Sequence, residues 1–239
     1  MPHLIANRKR YHDLTKAHPE LRDQFRWETI NTAVYLLGGV IFIVGSVLFF
    51  PKFSKYADVG AWAFIVGSLL FLIVNIHDFA EVLRSRKINQ PPTRGDGFET
   101  ISTMVYLVGT LFFVAGSVFF LSRFEMIIAG AWCFIIGSLG FLIGASINVL
   151  QIVVQKSLVS LQLVNLTAIS FVVGSAIFAI GSVPYLWTLQ NAHDQNVLLN
   201  FLAWLFMIGS ALFLLGGVFN YWRAYLVMRH EAARLSFKK

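Results

Sequence analysis

The sequence predicts an all-α membrane protein of six transmembrane helices, arranged as three tandem two-helix hairpins with left-handed bundle packing and a pseudo-threefold repeat. Three observations predict it: charge is sparse, the apolar residues fall into six membrane-length blocks, and one motif is written in every block. Only 13% of the residues are charged and 57% are hydrophobic, with a mean hydropathy of +0.69. A soluble domain carries about 25% charge, so this chain has too little polar surface for a solvated globule.

The blocks run Ile30–Phe50, Ala57–Ile76, Ile101–Leu121, Ile127–Leu150, Asn165–Trp187 and Val197–Trp222. Each reaches the roughly 20 apolar residues that a membrane helix needs. None has a charge in its central portion, where Asp, Lys or Arg costs about 2.5–3.5 kcal/mol on insertion. The first block is too long for a signal-peptide core and lacks a small-residue cleavage site. The single cysteine, Cys133, lies in the fourth block and allows no internal disulfide.

Charge placement sets the expected topology. Of 19 Lys and Arg, three (Lys52, Lys55 and Arg123) lie in loops on one side, and the other 16 lie in the tails and loops on the opposite side. The positive-inside rule then puts both termini in the cytoplasm of a multi-pass protein of the cell (inner) membrane. The net charge of +7 reads as topology plus contact with anionic lipid at the basic cytoplasmic segments. A nucleic-acid partner is not expected, because no basic folded domain is present.

The repeats divide the chain into a basic amphipathic segment 1–27, hairpin 28–89, linker 90–97, hairpin 98–156, a divergent hairpin 157–225 and a basic tail 226–239. Glu28-Thr29-Ile30 matches Glu99-Thr100-Ile101, and Gly60-Ala61-Trp62 matches Gly130-Ala131-Trp132. The finer pattern is Phe-x-x-Gly-Ser-x-x-aromatic. Its Gly-Ser pairs are Gly45-Ser46, Gly67-Ser68, Gly116-Ser117, Gly137-Ser138, Gly181-Ser182 and Gly209-Ser210. Five helices carry another Gly seven residues earlier: Gly38, Gly60, Gly109, Gly130 and Gly174; the sixth has Leu202 there.

Apolar side chains do not join helices in lipid, which is equally apolar; close backbone approach at small residues does. A seven-residue spacing keeps those residues on one stripe and favours a shallow left-handed crossing. The Gly-Ser layer therefore reads as mid-membrane packing, with Gly45, Gly116 and Gly181 level with Gly67, Gly137 and Gly209. Phe at −3 and +4 from each Gly is placed to fill the neighbouring helix's gap.

This ordered set resembles the YrhK-like domain, a two-helix bacterial membrane module with Phe-x-x-Gly-Ser in each helix. Glu28 through Phe71 and Glu99 through Phe141 carry the resemblance, and Leu163 through Phe213 carries it weakly. The resemblance implies topology and a bacterial membrane, and it supplies no activity and no site residues. Three hairpins in one chain go beyond the single module and suggest the fusion of an ancestral oligomer.

Polar residues at the cytoplasmic helix ends are the candidates for chemistry. Glu28 and Glu99 read as starting helices 1 and 3, and Asp96 with Glu99 has capping-box spacing. Asp78, Asn148 and Asn220 each follow the central Gly of helices 2, 4 and 6 by 11 residues, and His77 adjoins Asp78. These acids act either as helix caps complementing the dipole or as a vestibule of Glu28, His77, Asp78, Glu99, Asn148 and Asn220, since ionisable residues near the membrane interior mark ion paths. Trp27, Trp62, Trp132, Trp187, Trp204 and Trp222 read as interfacial belts. His3, His12 and His18 have no metal-ligand spacing. No Walker loop, zinc set or paired nucleophile is present, so no enzyme and no cofactor are expected. The expectation is a structural or partner-binding bundle, as a homo-oligomer or with a membrane partner; the alternative is a small channel or transporter for a cation or proton.

Overall fold

The computed structural model describes residues 14–16, 20–88, 94–150, 158–187 and 191–236. His3, His12, His18, Lys156 and the first half of the expected linker lie outside the described residues. Six helices are long and apolar enough to cross a membrane: α1 (Leu21–Leu48), α2 (Ala57–Ile88), α3 (Arg94–Phe119), α4 (Ile127–Leu150), α5 (Leu158–Ser182) and α6 (Ala192–Ser236). No strand occurs among the described residues. The chain is a multi-pass membrane protein.

Local chemistry ends the helices at the turns. Phe50 takes an extended conformation before Pro51, as sterics with the proline ring require, and a short 3₁₀ turn, Pro51–Tyr56, leads into α2. Pro184 stands in a second 3₁₀ turn, Val183–Leu186, which follows α5 directly. Between α3 and α4 the chain reverses through Glu125, a non-glycine residue at φ 52°.

At the opposite end, which we call the terminal face, the helices run past the apolar blocks. α6 has 45 residues and is roughly 67 Å long at 1.5 Å per residue. Two expectations are corrected by this extension. Glu28 stands about two turns inside α1, and Asp96 and Glu99 lie within the first turns of α3. None of the three is an N-cap, because the polar residues preceding the apolar blocks continue the helix. The second half of the expected linker, residues 94–97, is likewise helix.

Each helix packs on its neighbours in chain order, and α6 packs on α1, which closes a ring. The glycines of the repeated motif face the antiparallel neighbour within α1–α2, α3–α4 and α5–α6, while Gly39 and Gly217 face across α1 and α6. A Cβ on Gly38 would lie 3.2 Å from the Gly67 carbonyl oxygen, one on Gly109 3.0 Å from that of Gly137, and one on Gly174 3.3 Å from that of Gly209. At the seam between α1 and α6 the Ser46 and Ser210 hydroxyls are 3.2 Å apart.

The level pairing of Gly45 with Gly67 does not hold. Gly45 meets Gly60, and Gly67 meets Gly38. Antiparallel helices number in opposite directions, so the central glycine of one faces the outer glycine of the other, seven residues or about 10 Å away from the expected partner.

Phenylalanine fills the axis. Phe42, Phe113 and Phe178 form a triangle with ring centroids 6.2, 5.6 and 6.2 Å apart. Phe64, Phe134 and Phe206 form a second, at 6.1, 6.3 and 6.2 Å. The two triangles touch at 4.6, 5.2 and 5.3 Å within the pairs Phe42–Phe64, Phe113–Phe134 and Phe178–Phe206. These are contact distances for aromatic rings, and all six side chains are buried. The outer surface is apolar, with Leu37, Ile73, Met104, Ile128, Ile169 and Ile180 exposed, as a lipid-facing wall should be.

Candidate functional site

The candidate residues gather at the terminal face. Their helices reach it with one face still packed in the ring, so polar side chains on that face are covered. Asp78 and Glu99 are 5% and 8% exposed, and Asn148 and Asn220 are 1% and 2% exposed. Glu28 and His77 are half-buried. The acids therefore do not point outward to lipid headgroups. Each of Glu28, His77, Asp78 and Glu99 engages other groups of the protein, which is what covered charge at low dielectric requires.

The amides and the histidine bond to side chains of their own or the adjacent helix. Asn148 accepts a hydrogen bond from the Ser102 hydroxyl at 2.9 Å and donates to the Tyr106 hydroxyl at 3.1 Å, joining α3 to α4. Asn220 accepts from the Arg223 guanidinium at 3.1 Å, one turn further along α6. His77 Nδ1 lies 2.7 Å from the Asn31 amide nitrogen, and its ring stacks on Trp27 with centroids 5.9 Å apart. Trp27 thus packs between α1 and α2 instead of serving only as an interfacial anchor. Trp62, Trp132, Trp187, Trp204 and Trp222 are exposed.

Sequence reasoning missed several buried members of this layer. Glu81 is fully buried, and Gln24 and Asn75 are nearly so. Asp96 was read as a cap, yet it too is covered. A signal existed for Glu81 and Asp96: each lies three residues from a candidate, and that spacing puts two side chains on one helix face. Asn75 carried a weaker one, as an amide at the end of an apolar run. It donates to the Thr110 hydroxyl at 2.6 Å, tying α2 to α3. Arg223 brings a cation to the layer at the register of Glu81: both follow the Gly of their Gly-Ser pair by 14 residues.

The polar layer stops at a depth set by aromatic rings. Tyr35 donates to the Phe213 carbonyl at 3.1 Å, joining α1 to α6, and stacks on Phe71 at 4.7 Å. Beyond it Phe71, Phe141 and Phe213 pack on the first triangle at 5.1, 5.0 and 5.3 Å. Among the motif serines, the hydroxyls of Ser46, Ser117 and Ser182 donate to the carbonyls four residues back at 2.8, 2.7 and 2.7 Å, which satisfies them within their own helix, while those of Ser68 and Ser138 are buried without a hydrogen-bond partner. Among the described residues no group of three His, Cys, Asp or Glu is placed to hold a metal ion.

At the turn face one carboxylate crosses a seam. Asp58, in the first turn of α2, accepts from the Ser122 backbone N–H at 2.8 Å and from its hydroxyl at 2.6 Å. Ser122 sits in the turn after α3, so this clasp holds the α1–α2 pair to the α3–α4 pair on the side away from the acids.

Residues 25–83 and 96–153 each match the model of the YrhK-like protein family. The first match spans α1 and most of α2, and the second spans α3 and α4. No curated protein and no solved structure is significantly similar to the chain. The chain carries two YrhK-like domains in tandem.

Proposed function

We propose that this tandem YrhK-like protein is a structural or partner-binding membrane bundle, made of three fused hairpins around a pseudo-threefold axis with shallow left-handed packing, and that it carries no catalytic activity. In this reading residues 158–223 are the third hairpin, the termini are cytoplasmic in the inner membrane, and the basic segments rest on anionic lipid. The observation that carries the reading is the pair of phenylalanine triangles closing the axis. Water and ions need a continuous polar lining, and these rings supply none. The covered acids at the terminal face then serve to join helices where the bundle leaves the lipid.

The test is flux into proteoliposomes over protons and alkali cations, with the natural chain and with Glu99→Gln. The bundle reading expects both to match protein-free vesicles, with Glu99→Gln altering only thermal stability. Flux through the natural chain that Glu99→Gln abolishes would overturn it and establish a conducting vestibule.

A further inference from the structure

The three hairpins meet the axis on one plan, while the family match covers two hairpins of the three. Within each hairpin the same glycine contact recurs at the same place: Gly38 on Gly67, Gly109 on Gly137 and Gly174 on Gly209, at 3.2, 3.0 and 3.3 Å. Around the axis each hairpin gives one ring to each triangle, and no triangle edge departs from 5.6–6.3 Å. Toward the turn face Phe49, Phe120 and Tyr185 continue the series, with Phe49–Phe120 at 6.1 Å and Phe120–Tyr185 at 5.2 Å. The unmatched hairpin differs elsewhere. Val164 stands at the register of Glu28 and Glu99, Leu202 at that of Gly60 and Gly130, and Arg223 at that of Glu81. Its divergence leaves the rings that meet the other two hairpins in place.

We infer that the surface which α1–α2 and α3–α4 together present to residues 158–223 is a docking surface for a YrhK-like hairpin as such, so that a second copy of the α3–α4 hairpin fits the place of α5–α6. Shape explains why. In lipid the association rests on close packing of small residues and rings; the rings recur in all three hairpins, while Gly217, where a Cβ would lie 2.5 Å from the Tyr35 ring, has Ala145 as its counterpart in α4. The inference rests on the three-hairpin reading above, and the experiment separates the two.

The probe is the full-length chain with residues 158–223 replaced by a second copy of 94–151, in a Cys133→Ser background and with Ala145→Gly in the copy to restore the glycine that meets Tyr35. Ring closure is read by oxidising a cysteine pair across the α6–α1 seam. In the natural arrangement the pair is Ser46→Cys with Ser210→Cys, whose hydroxyls are 3.2 Å apart. In the chimera, position 210 is supplied by the copied Ser138→Cys. A second chimera replaces residues 25–83 by a copy of 96–153 and keeps α5–α6, with the copied Ser117→Cys standing in for Ser46→Cys. The expected result is an intramolecular cross-link in a monomer, with no loss of yield against the natural chain, in at least one chimera. If the natural chain cross-links and both chimeras aggregate, stay open or cross-link only between chains, the docking inference is overturned. If the natural chain itself fails to cross-link within one molecule, the closed ring of three hairpins is wrong, whatever the chimeras do.

Discussion

The two halves of the ring interior solve different problems. Toward the turn face the axis is filled by phenylalanine from all six helices, in near-equivalent triangles. Toward the terminal face the same helices bring Glu81, Asp78, Asp96, Glu99, Asn148 and Asn220 under cover. The aromatic half is symmetric because shape is the only requirement at that depth: three pairs of rings close an axis, and each glycine leaves the gap that a ring occupies. The polar half is asymmetric because charges need complements and not copies. Arg223 on α6 takes the register of Glu81 on α2, and Val164 takes that of Glu28 and Glu99. Packing is therefore the repeated part of this molecule, and electrostatics is the part in which its helix pairs differ.

Disturbing the aromatic half should cost most. Phe178 is fully buried and contacts Phe42, Phe113, Phe206 and Phe213. Phe178→Ala should destabilise the detergent-solubilised protein by about 3–5 kcal/mol, the usual cost of emptying a buried aromatic site. Thermal unfolding is the measurement; a loss no greater than that for Leu37→Ala on the exposed wall would contradict a packed axis. Gly116→Leu should come next. Even a Cβ there would lie 2.9 Å from the Phe134 ring and 3.1 Å from the Cys133 Cβ, and overpacking of this kind costs about 1–3 kcal/mol.

The polar half should give smaller, separable effects. Tyr106→Phe removes the hydroxyl that accepts from Asn148. A loss of about 0.6 kcal/mol is expected, the mean for polar contacts in membrane proteins. A double-mutant cycle with Asn148→Ala isolates that contact, and a coupling of zero would show that the network adds nothing. The smallest difference lies among the serines. Ser210→Ala should cost a few tenths of a kcal/mol by removing the contact with Ser46. Ser68→Ala should be neutral or stabilising, because the Ser68 hydroxyl is buried without a hydrogen-bond partner and an unsatisfied buried polar group is a cost. Equal losses at both would show that the two hydroxyls contribute alike.

The sequence makes the aromatic half largely legible. Fixed spacing of Gly, Ser and Phe in an apolar helix constrains which residues share a stripe, and the repeats locate the motif in every helix. Spacing along one helix says nothing about register against the next, so the pairing of Gly45 with Gly60 emerges only once the antiparallel contact is known. Closure of α6 onto α1 likewise has no local signal. The polar half is less legible for a different reason. An acid at the end of an apolar run reads as a cap or a solvated end when the helix is taken to stop there. Asp96 and Glu99 read as a helix start on that ground, yet α3 begins at Arg94. Glu81 and Gln24 read as surface residues, and only the ring's extension past the apolar blocks covers them.

The sealed axis is tested most directly by single-cysteine accessibility along α1, in a Cys133→Ser background and in sealed vesicles. Asn31→Cys, Phe42→Cys and Phe49→Cys are challenged with a membrane-impermeant maleimide from each side in turn. Labelling of Asn31→Cys from the terminal face only, of Phe49→Cys from the turn face only, and of Phe42→Cys from neither is the predicted result. Labelling of Phe42→Cys from either side, in a variant that keeps the monomeric mass and cooperative unfolding of the natural chain, would contradict the account.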